Sequence, residues 1–247
     1  MCTFIISWQP NEKWPVIIGA NRDELITRAW RKPGRHWSDR PEVVAGYDEE
    51  AGGSWLGVND HGLIVGILNR SNSLGPITGK RSRGELVLEA LDHADAVESA
   101  AAIKEINENS YRDFNMLILD NRDAFWLKKS SGKRVNCQPL PTGVSMLTAK
   151  ELNDQSSPRI SHHLARLQHA EIPNPEAKNW HGWPDILADK SCYIKEDPLT
   201  AMNITSNSGF GTVSASLMAL PNDINQRPIW LFCDGPPDQN KFAPIEI

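Results

Sequence analysis

Residues 1–24 read MCTFIISWQPNEKWPVIIGANRDE, and this stretch decides the fold. It holds two short runs of β-branched and apolar residues, Thr3–Trp8 and Val16–Asn21, on either side of a polar segment that contains a proline. This pattern predicts a β-hairpin. The second run leads into the polar and charged cluster Asn21–Glu24, and pairing of the two strands would bring this cluster beside Cys2.

The cysteine at position 2 suggests a nucleophile because of its position. Removal of Met1 is expected before a small second residue, and it would leave Cys2 with a thiol and a free α-amine. An α-amine with a pKa of about 8 can act as the base for its own side chain. Asp23 could orient this amine, and the positive charge of Arg22 could favour the thiolate. The alternative interpretation is that residues 21–24 are only the solvated end of a strand.

Composition limits the class of protein and of partner. The chain has 247 residues, of which 40% are hydrophobic and 23% charged, without a repeat, a linker or a break in composition. One domain over residues 1–247 is therefore expected. The net charge of −5 argues against binding to nucleic acid or to a membrane surface, so a small-molecule ligand or substrate is the expected partner. Composition leaves the oligomeric state open.

Targeting, membrane and metal signals are weak. The N-terminus lacks a basic leader, and no window approaches about 18 apolar residues, so a cytoplasmic protein without a membrane span is expected. The four cysteines are scattered without a C-x-x-C spacing, so neither disulfides nor a zinc site is predicted. His162 and His163 are neighbours on a predicted helix and project about 100° apart, so they are not expected to form a joint metal face. No metal or cofactor is predicted.

The remaining pattern favours an α+β domain with helices layered on antiparallel sheets. Further strands are predicted over Gly53–Val58, Leu63–Asn69, Asn115–Leu119, Ala124–Lys129, Arg134–Gln138, Val144–Leu147, Gly211–Leu220 and Pro228–Cys233. Helices are predicted over Arg83–Leu91, Asp95–Asn107, Ser157–Ala170 and Pro184–Ala188. The stretch Glu24–Tyr47 has no clear period and is predicted to be a long surface excursion.

Several polar and aromatic residues are candidates for contacting a substrate. Asn59, Asn69 and Asn115 stand at predicted strand ends, where an amide could hold substrate or form half of an oxyanion hole. A purely structural role in turns remains open for each of them. Most of the nine tryptophans are expected in the core, with one or two lining a pocket, and Trp55 and Asn21 join Asn59 as predicted substrate contacts.

These blocks together resemble the NRDE family, the family of the eukaryotic transport and Golgi organisation protein. The blocks that carry the resemblance are Met1-Cys2-Thr3, Gly19–Glu24, Gly53–Asn59, Gly62, Leu68–Arg70, Ser82–Gly84, Phe114-Asn115 and Phe210–Thr212. More distantly, Cys2, Gly19–Asp23 and Asn59–Asn69 are similar to blocks of the choloylglycine and penicillin-V hydrolases, which are amino-terminal nucleophile enzymes.

The distant resemblance implies a fold and a chemistry. The fold is a four-layer αββα sandwich of two antiparallel sheets. The chemistry is hydrolysis of a non-peptide amide through a thioester, with Cys2 as nucleophile, Asp23 holding its amine, Arg22 lowering the thiol pKa, and Asn69 or Asn115 stabilising the oxyanion.

Three departures from the hydrolase pattern keep a second function open. Ala20 stands where the hydrolases have an arginine, Ala149 where they have an oxyanion-hole asparagine, and Val213 where an arginine is expected. Asn153 or Asn207 are possible replacements for the missing donor. The family resemblance also permits an alternative function, a non-catalytic binding or trafficking protein for a hydrophobic, acyl-type or haem ligand. The departures at Ala149 and Val213 favour it, since such a protein needs no oxyanion hole.

Overall fold

The structure is a computed structural model that describes residues 2–247. The predicted removal of Met1 therefore lies outside the described residues. The strands are β1 (Thr3–Trp8), β2 (Val16–Leu25), β3 (Trp30–Gly34), β4 (Val43–Asp48), β5 (Leu56–Asn59), β6 (Ile64–Asn69), β7 (Phe114–Leu119), β8 (Ala124–Lys129), β9 (Asn136–Pro139), β10 (Gly143–Leu147), β11 (Phe210–Leu220), β12 (Ile229–Cys233) and β13 (Phe242–Pro244). The helices are α1 (Gly84–Leu91), α2 (Ala96–Lys104), α3 (Pro158–His169) and α4 (Trp183–Leu187).

The strands form two antiparallel sheets. The first sheet has the order β10-β1-β2-β11-β12-β13, and the second has the order β3-β4-β5-β6-β7-β8-β9. The predicted N-terminal hairpin is present at the centre of the first sheet, where Thr3 pairs with Asn21 and Ile6 with Ile18. The chain ends of β1 and β2 that carry Cys2 and Arg22 are thereby brought together.

Strand β2 extends beyond the predicted hairpin, to Leu25, because β11 pairs with it along its whole length. The pairing runs from Phe210 opposite Leu25 to Leu220 opposite Val16, with a shift of register between Thr212 and Ser214. The cluster at residues 21–23 is consequently buried, and interpreting it as a solvated strand end is wrong.

The predicted surface excursion over Glu24–Tyr47 is also wrong in part, since it contains β3 and most of β4. Strand β4 buries Val43 and Val44 without the period-2 alternation that a half-exposed strand shows. Strand β3 is a sheet edge with a register shift between Arg31 and Gly34, and an edge tolerates its proline. The three-residue edge strand β13 was not predicted at all.

Three apolar clusters separate four layers. The first fills the space between the sheets, with Phe4 and Ile18 from one sheet packed with Leu56 and Leu117 from the other. The second lies between the outer face of the second sheet and helices α1 and α2. The third lies between the outer face of the first sheet and helices α3 and α4. This order of layers is the predicted αββα sandwich.

All four predicted helices are present, although α2 ends at Lys104 and not at Asn107. Asp95 caps α2 by accepting a hydrogen bond from the Glu98 backbone at 2.9 Å. None of the helices within residues 2–247 combines the length and apolar character needed to cross a membrane.

Candidate active site

Cys2 directly precedes the first residue of β1, and it packs against the apolar cluster between the two sheets. Its sulfur accepts a hydrogen bond from the Asp23 backbone N–H at 3.3 Å and lies 3.6 Å from the Asp23 carbonyl oxygen. Burial raises the pKa of the Cys2 thiol, the Asp23 carboxylate raises it further, and Arg22 acts in the opposite direction. Arg22 thus lowers the pKa of the thiol, but burial outweighs this effect.

The Arg22 guanidinium is held between the sheets by aromatic rings. Its central carbon lies 3.9 Å from the centroid of the Trp55 ring and 5.6 Å from that of Trp30. Nη2 lies 3.6 Å from the Asp48 carboxylate, whereas Nη1 is buried and has no hydrogen-bond partner among residues 2–247. A buried guanidinium N–H without an acceptor is unfavourable, so this group is suited to an anionic or carbonyl oxygen of a ligand.

The Trp55 ring packs directly against the backbone of Gly46. A Cβ atom on Gly46 would lie 2.3 Å from the Trp55 ring, so only glycine permits this approach. Gly53 and Gly84 make a similar close backbone contact, and the Ser54 N–H donates to the Gly84 carbonyl at 3.0 Å. The motif blocks Gly53–Asn59 and Ser82–Gly84 are thus in direct contact with each other.

The Asp23 carboxylate lies on the opposite face of the first sheet from the thiol. Successive side chains of a strand point to opposite faces, so Arg22 faces the second sheet and Asp23 faces the helices. One Asp23 oxygen accepts from the Thr212 hydroxyl at 2.6 Å, and the other pairs with Arg159 Nη1 at 3.0 Å. The same Arg159 nitrogen donates to the Thr3 hydroxyl at 2.6 Å.

Sequence reasoning missed Arg159. It lies in the first turn of α3 beside Ile160, and its side chain is 3% exposed. The available signal was its position directly before Ile160, the first residue of the apolar stripe of α3. A charged residue at such a position can be buried, and it is then expected to have a partner of opposite charge. Arg159 supplies a buried guanidinium in a chain that has Val213 where a C-terminal arginine was expected.

A cavity of about 600 Å³ opens beside the thiol, a size typical of small-molecule sites. It brings together five of the predicted site residues, namely Cys2, Arg22, Asp23, Trp55 and Asn69. Its other walls carry the basic residues Arg28, Lys80, Arg81, Arg83 and Arg112, the acidic residues Glu24, Asp48 and Glu50, and the apolar residues Leu25, Ile67, Leu74 and Ile77. A narrower pocket, lined in part by Asn21, shares Cys2, Arg22 and Trp55 with it.

The three candidate asparagines differ in whether their side chains already have hydrogen-bond partners in the protein. Asn69 lines the cavity, and its side chain makes no hydrogen bond within residues 2–247. Asn115 lies outside the cavity, where its amide donates to the Thr148 and Lys150 carbonyls at 2.8 and 2.7 Å. Asn59 is also outside, with its amide bound to the carbonyls of Leu91 and His93 and its oxygen to the N–H groups of His61 and Leu63. Asn59 and Asn115 therefore have structural partners, in place of the predicted contacts with substrate.

Asn21 is intermediate between these cases. Its amide nitrogen donates to the Leu187 and Met202 carbonyls at 2.8 Å each, which ties β2 to the helical layer. Its side-chain oxygen is buried without a partner in the described chain. Neither Asn153 nor Asn207 lines the cavity, and Asn153 instead caps Met146 on β10 by accepting from its backbone at 2.8 Å.

The chain matches a family model and a curated relative. Residues 1–224 match the family model described as Transport and Golgi organisation 2. The Transport and Golgi organization 2 homolog of Mus musculus is 30% identical over 131 residues, which are 49% of this chain and 45% of that protein. The match thus spans less than half of the length of this curated relative.

Two solved structures share the fold. The Caenorhabditis elegans N-acylethanolamine-hydrolyzing acid amidase ortholog has a TM-score of 0.59 at 12% identity, over 90% of this chain and 94% of that one. A mutant of the conjugated bile acid hydrolase from Clostridium perfringens has a TM-score of 0.52 at 14% identity, over 100% and 97% of the two chains. The predicted fold and the predicted family resemblance are confirmed.

Proposed function

This chain belongs to the Transport and Golgi organisation 2 family, and we propose that it is an amino-terminal cysteine hydrolase of a small-molecule amide. One observation carries the proposal: Cys2 and Arg22 line the same cavity, and Nη1 of Arg22 is buried without a hydrogen-bond partner among residues 2–247. A nucleophile and a donor for negative charge are the two groups that acyl transfer needs at one carbon atom.

In the proposed first step, Cys2 sulfur attacks the amide carbonyl carbon. With Met1 removed, the α-amine of Cys2 takes the thiol proton, which is necessary because burial raises the thiol pKa. The carbonyl oxygen becomes an oxyanion and accepts hydrogen bonds from Arg22 Nη1 and the Asn69 amide. These two donors take over the role of the asparagine that Ala149 replaces.

In the proposed second step, the carbon–nitrogen bond breaks and the leaving amine takes the proton from the α-ammonium. The acyl group is then held on Cys2 as a thioester. Water attacks this thioester while the α-amine accepts its proton, and breakage of the carbon–sulfur bond releases the acid and restores the thiol. Asp23, fixed by Thr212 and Arg159, orients the α-amine in both steps.

The raised thiol pKa and the loss of the expected donor at Ala149 favour a second candidate function. Under this alternative the chain binds or carries a hydrophobic, acyl-type or haem ligand and breaks no bond. Trp55 and the apolar side chains of Leu25, Leu74 and Ile77 would then contact the ligand.

Mass spectrometry of the intact protein separates the two functions. We expect protein expressed in cells to lack Met1 and, after incubation with a panel of fatty-acyl and aryl-acyl amides, to carry an acyl adduct on Cys2. The Cys2→Ala variant should show neither adduct nor turnover, and Cys192→Ala, which removes an exposed cysteine, should behave as wild type. Unchanged turnover in Cys2→Ala would exclude the proposed hydrolase. Binding of the amides with no adduct and no turnover would favour the carrier.

A further inference from the structure

Two histidines and a carboxylate meet in the helical layer outside the Cys2 cavity. His162 and His163 come from α3, and Asp189 follows α4. One nitrogen or oxygen atom from each residue lies within 4.8 Å of those from the other two. The expectation that the two histidines share no metal face rested on the direction of their Cβ atoms, but their rings lie 4.8 Å apart at 82°.

The inner part of this cluster is already held in place. The His163 side chain is fully buried, and its Nε2 lies 3.8 Å from Asp189 Oδ2. The Tyr193 hydroxyl hydrogen-bonds to this nitrogen and donates to Asp189 Oδ2 at 3.0 Å. The backbone N–H of Ser191 also donates to the other Asp189 oxygen, at 2.8 Å, which fixes the direction of the carboxylate.

The outer part is open to solvent. The exposed His162 ring stacks on Tyr193 with centroids 4.2 Å apart. A cavity of about 300 Å³, lined by His162, Tyr193, Ser156 and Ser161, adjoins it. His162 therefore gives the cluster a solvent-facing donor, and its exposed ring could turn toward an ion without disturbing the core.

We propose that His162, His163 and Asp189 bind one divalent transition-metal ion, for which zinc is the best chemical match. Two imidazole nitrogens and one carboxylate oxygen are a common donor set for zinc. At metal–ligand distances of about 2.0–2.2 Å, tetrahedral ligands are about 3.3–3.6 Å apart, close to the separation of the His163 and Asp189 donors. The Tyr193 hydroxyl or a water from the adjoining cavity fills the fourth position.

The ion would act as a cross-link. It joins α3 to the segment after α4, and residues 170–197 contain no other helix than the five-residue α4. An ion that binds the folded protein and not the unfolded chain raises the temperature of unfolding. The site thus stabilises the wall of helices that presents Arg159 to Asp23, and it is independent of whether Cys2 catalyses hydrolysis.

Metal-stripped full-length protein, titrated with zinc chloride in a calorimeter, tests the proposal. We expect binding of one equivalent and a higher unfolding temperature. Cobalt(II) should give visible bands without the intense near-ultraviolet band of a cobalt–thiolate. His162→Ala and Asp189→Asn should each weaken zinc binding by at least about tenfold, since even partners outside the ligand set contribute that much.

The matched control is His169→Ala, at the exposed end of the same helix, where the imidazole hydrogen-bonds, within residues 2–247, only to the Ala165 carbonyl of its own helix. This variant should bind zinc as wild type. His162 is exposed, so its substitution leaves the fold intact and loss of binding is attributable to the ligand. Absence of one-equivalent binding, equal binding by His162→Ala and wild type, or loss of binding only in Cys2→Ser would each overturn the proposal.

Discussion

Arg22 is the side chain on which the proposed chemistry of the cavity depends most. The sequence places it one residue before Asp23, and strand alternation then puts the two on opposite faces. The sequence does not reveal where its guanidinium ends, because Gly46 and Trp55 of the second sheet fix that position. Its two terminal nitrogens consequently differ: one faces Asp48, and the other has no partner among residues 2–247.

Replacement of this arginine should separate its effect on the thiol from its effect on the oxyanion. In Arg22→Met the positive charge that lowers the thiol pKa is lost, so we expect the Cys2 pKa to rise further and alkylation by iodoacetamide at pH 8 to slow. The kcat/KM for an acyl amide should fall by about 10²–10³ because the variant lacks one of the two proposed donors to the oxyanion. The pH dependence of alkylation and of turnover measures the two effects.

Arg22→Lys supplies a further distinction. Lysine keeps the positive charge but lacks the planar guanidinium that stacks on Trp55. We therefore expect the thiol pKa of Arg22→Lys to return close to the wild-type value, whereas turnover should stay low. The exposed Arg31, which lies over Tyr47, offers a matched control, and Arg31→Met should change neither quantity. A Cys2 pKa that stays the same or falls in Arg22→Met would contradict the assigned geometry.

Asn69 and Asn115 should respond to substitution in opposite ways. Asn69→Ala removes an amide that the described chain does not use, so turnover should fall while the free energy of unfolding changes little. Asn115→Ala leaves the Thr148 carbonyl without its buried donor and Trp126 Nε1 without its acceptor, so it should lower the free energy of unfolding by more than about 2 kcal/mol. Urea unfolding and amide turnover of both variants check this, and a destabilised Asn69→Ala with normal turnover would remove Asn69 from the site.

Strand β2 shows why the sequence identified the hairpin correctly but gave the wrong exposure for the polar end of the strand. Its apolar start at Val16–Asn21 identified the hairpin correctly. Its polar end looked like a solvated terminus because the sequence does not show that β11, almost two hundred residues later, covers it. Pairing across such a distance makes polar residues buried, and only then do they need partners such as Arg159.

The ion pair between Arg159 and Asp23 should be essential for the attachment of α3 to the first sheet. Its side chains are 3% and 0% exposed. Arg159→Met removes a buried positive charge that balances the carboxylate, so we expect the free energy of unfolding to fall by about 3–5 kcal/mol in urea titrations. The proposed mechanism assigns the orientation of the α-amine to Asp23, so turnover should also fall.

A surface pair of the same kind shows how much burial matters. Lys13 and Glu176 also join distant segments, but both side chains are 60% exposed. Lys13→Met should therefore change the free energy of unfolding by no more than about 1 kcal/mol. Equal effects of Arg159→Met and Lys13→Met would show that the buried pair does not have the structural role given to it.

For the whole molecule, the layers were more predictable than the site. Apolar runs and helix stripes are local, so strands such as Thr3–Trp8 and helices such as α3 could be identified from the sequence. The αββα order came from the resemblance of motif blocks. The engaged states of Asn59 and Asn115 depend on side chains and carbonyls from distant segments, which no local pattern reveals.

A close contact between the two sheets provides a test of the whole sandwich. Gly66 of β6 faces Phe4 of β1, and a Cβ atom there would lie 2.4 Å from the Phe4 ring. Gly66→Ala therefore forces the ring or the sheets apart, and we expect the free energy of unfolding to fall by about 1–3 kcal/mol. Phe4 also lines the narrow pocket beside Cys2, so iodoacetamide should alkylate the thiol at a changed rate.

A smaller side chain at position 4 should offset part of the destabilisation caused by Gly66→Ala. The double variant Phe4→Leu/Gly66→Ala replaces the clashing ring with a smaller side chain, so its loss of free energy should be less than the sum of the two single losses. Urea unfolding of the two single variants and the double variant forms a complete cycle. Strict additivity would mean that Gly66 and Phe4 do not meet, and the packing of one sheet on the other would then differ from the arrangement that brings Trp55 over Arg22.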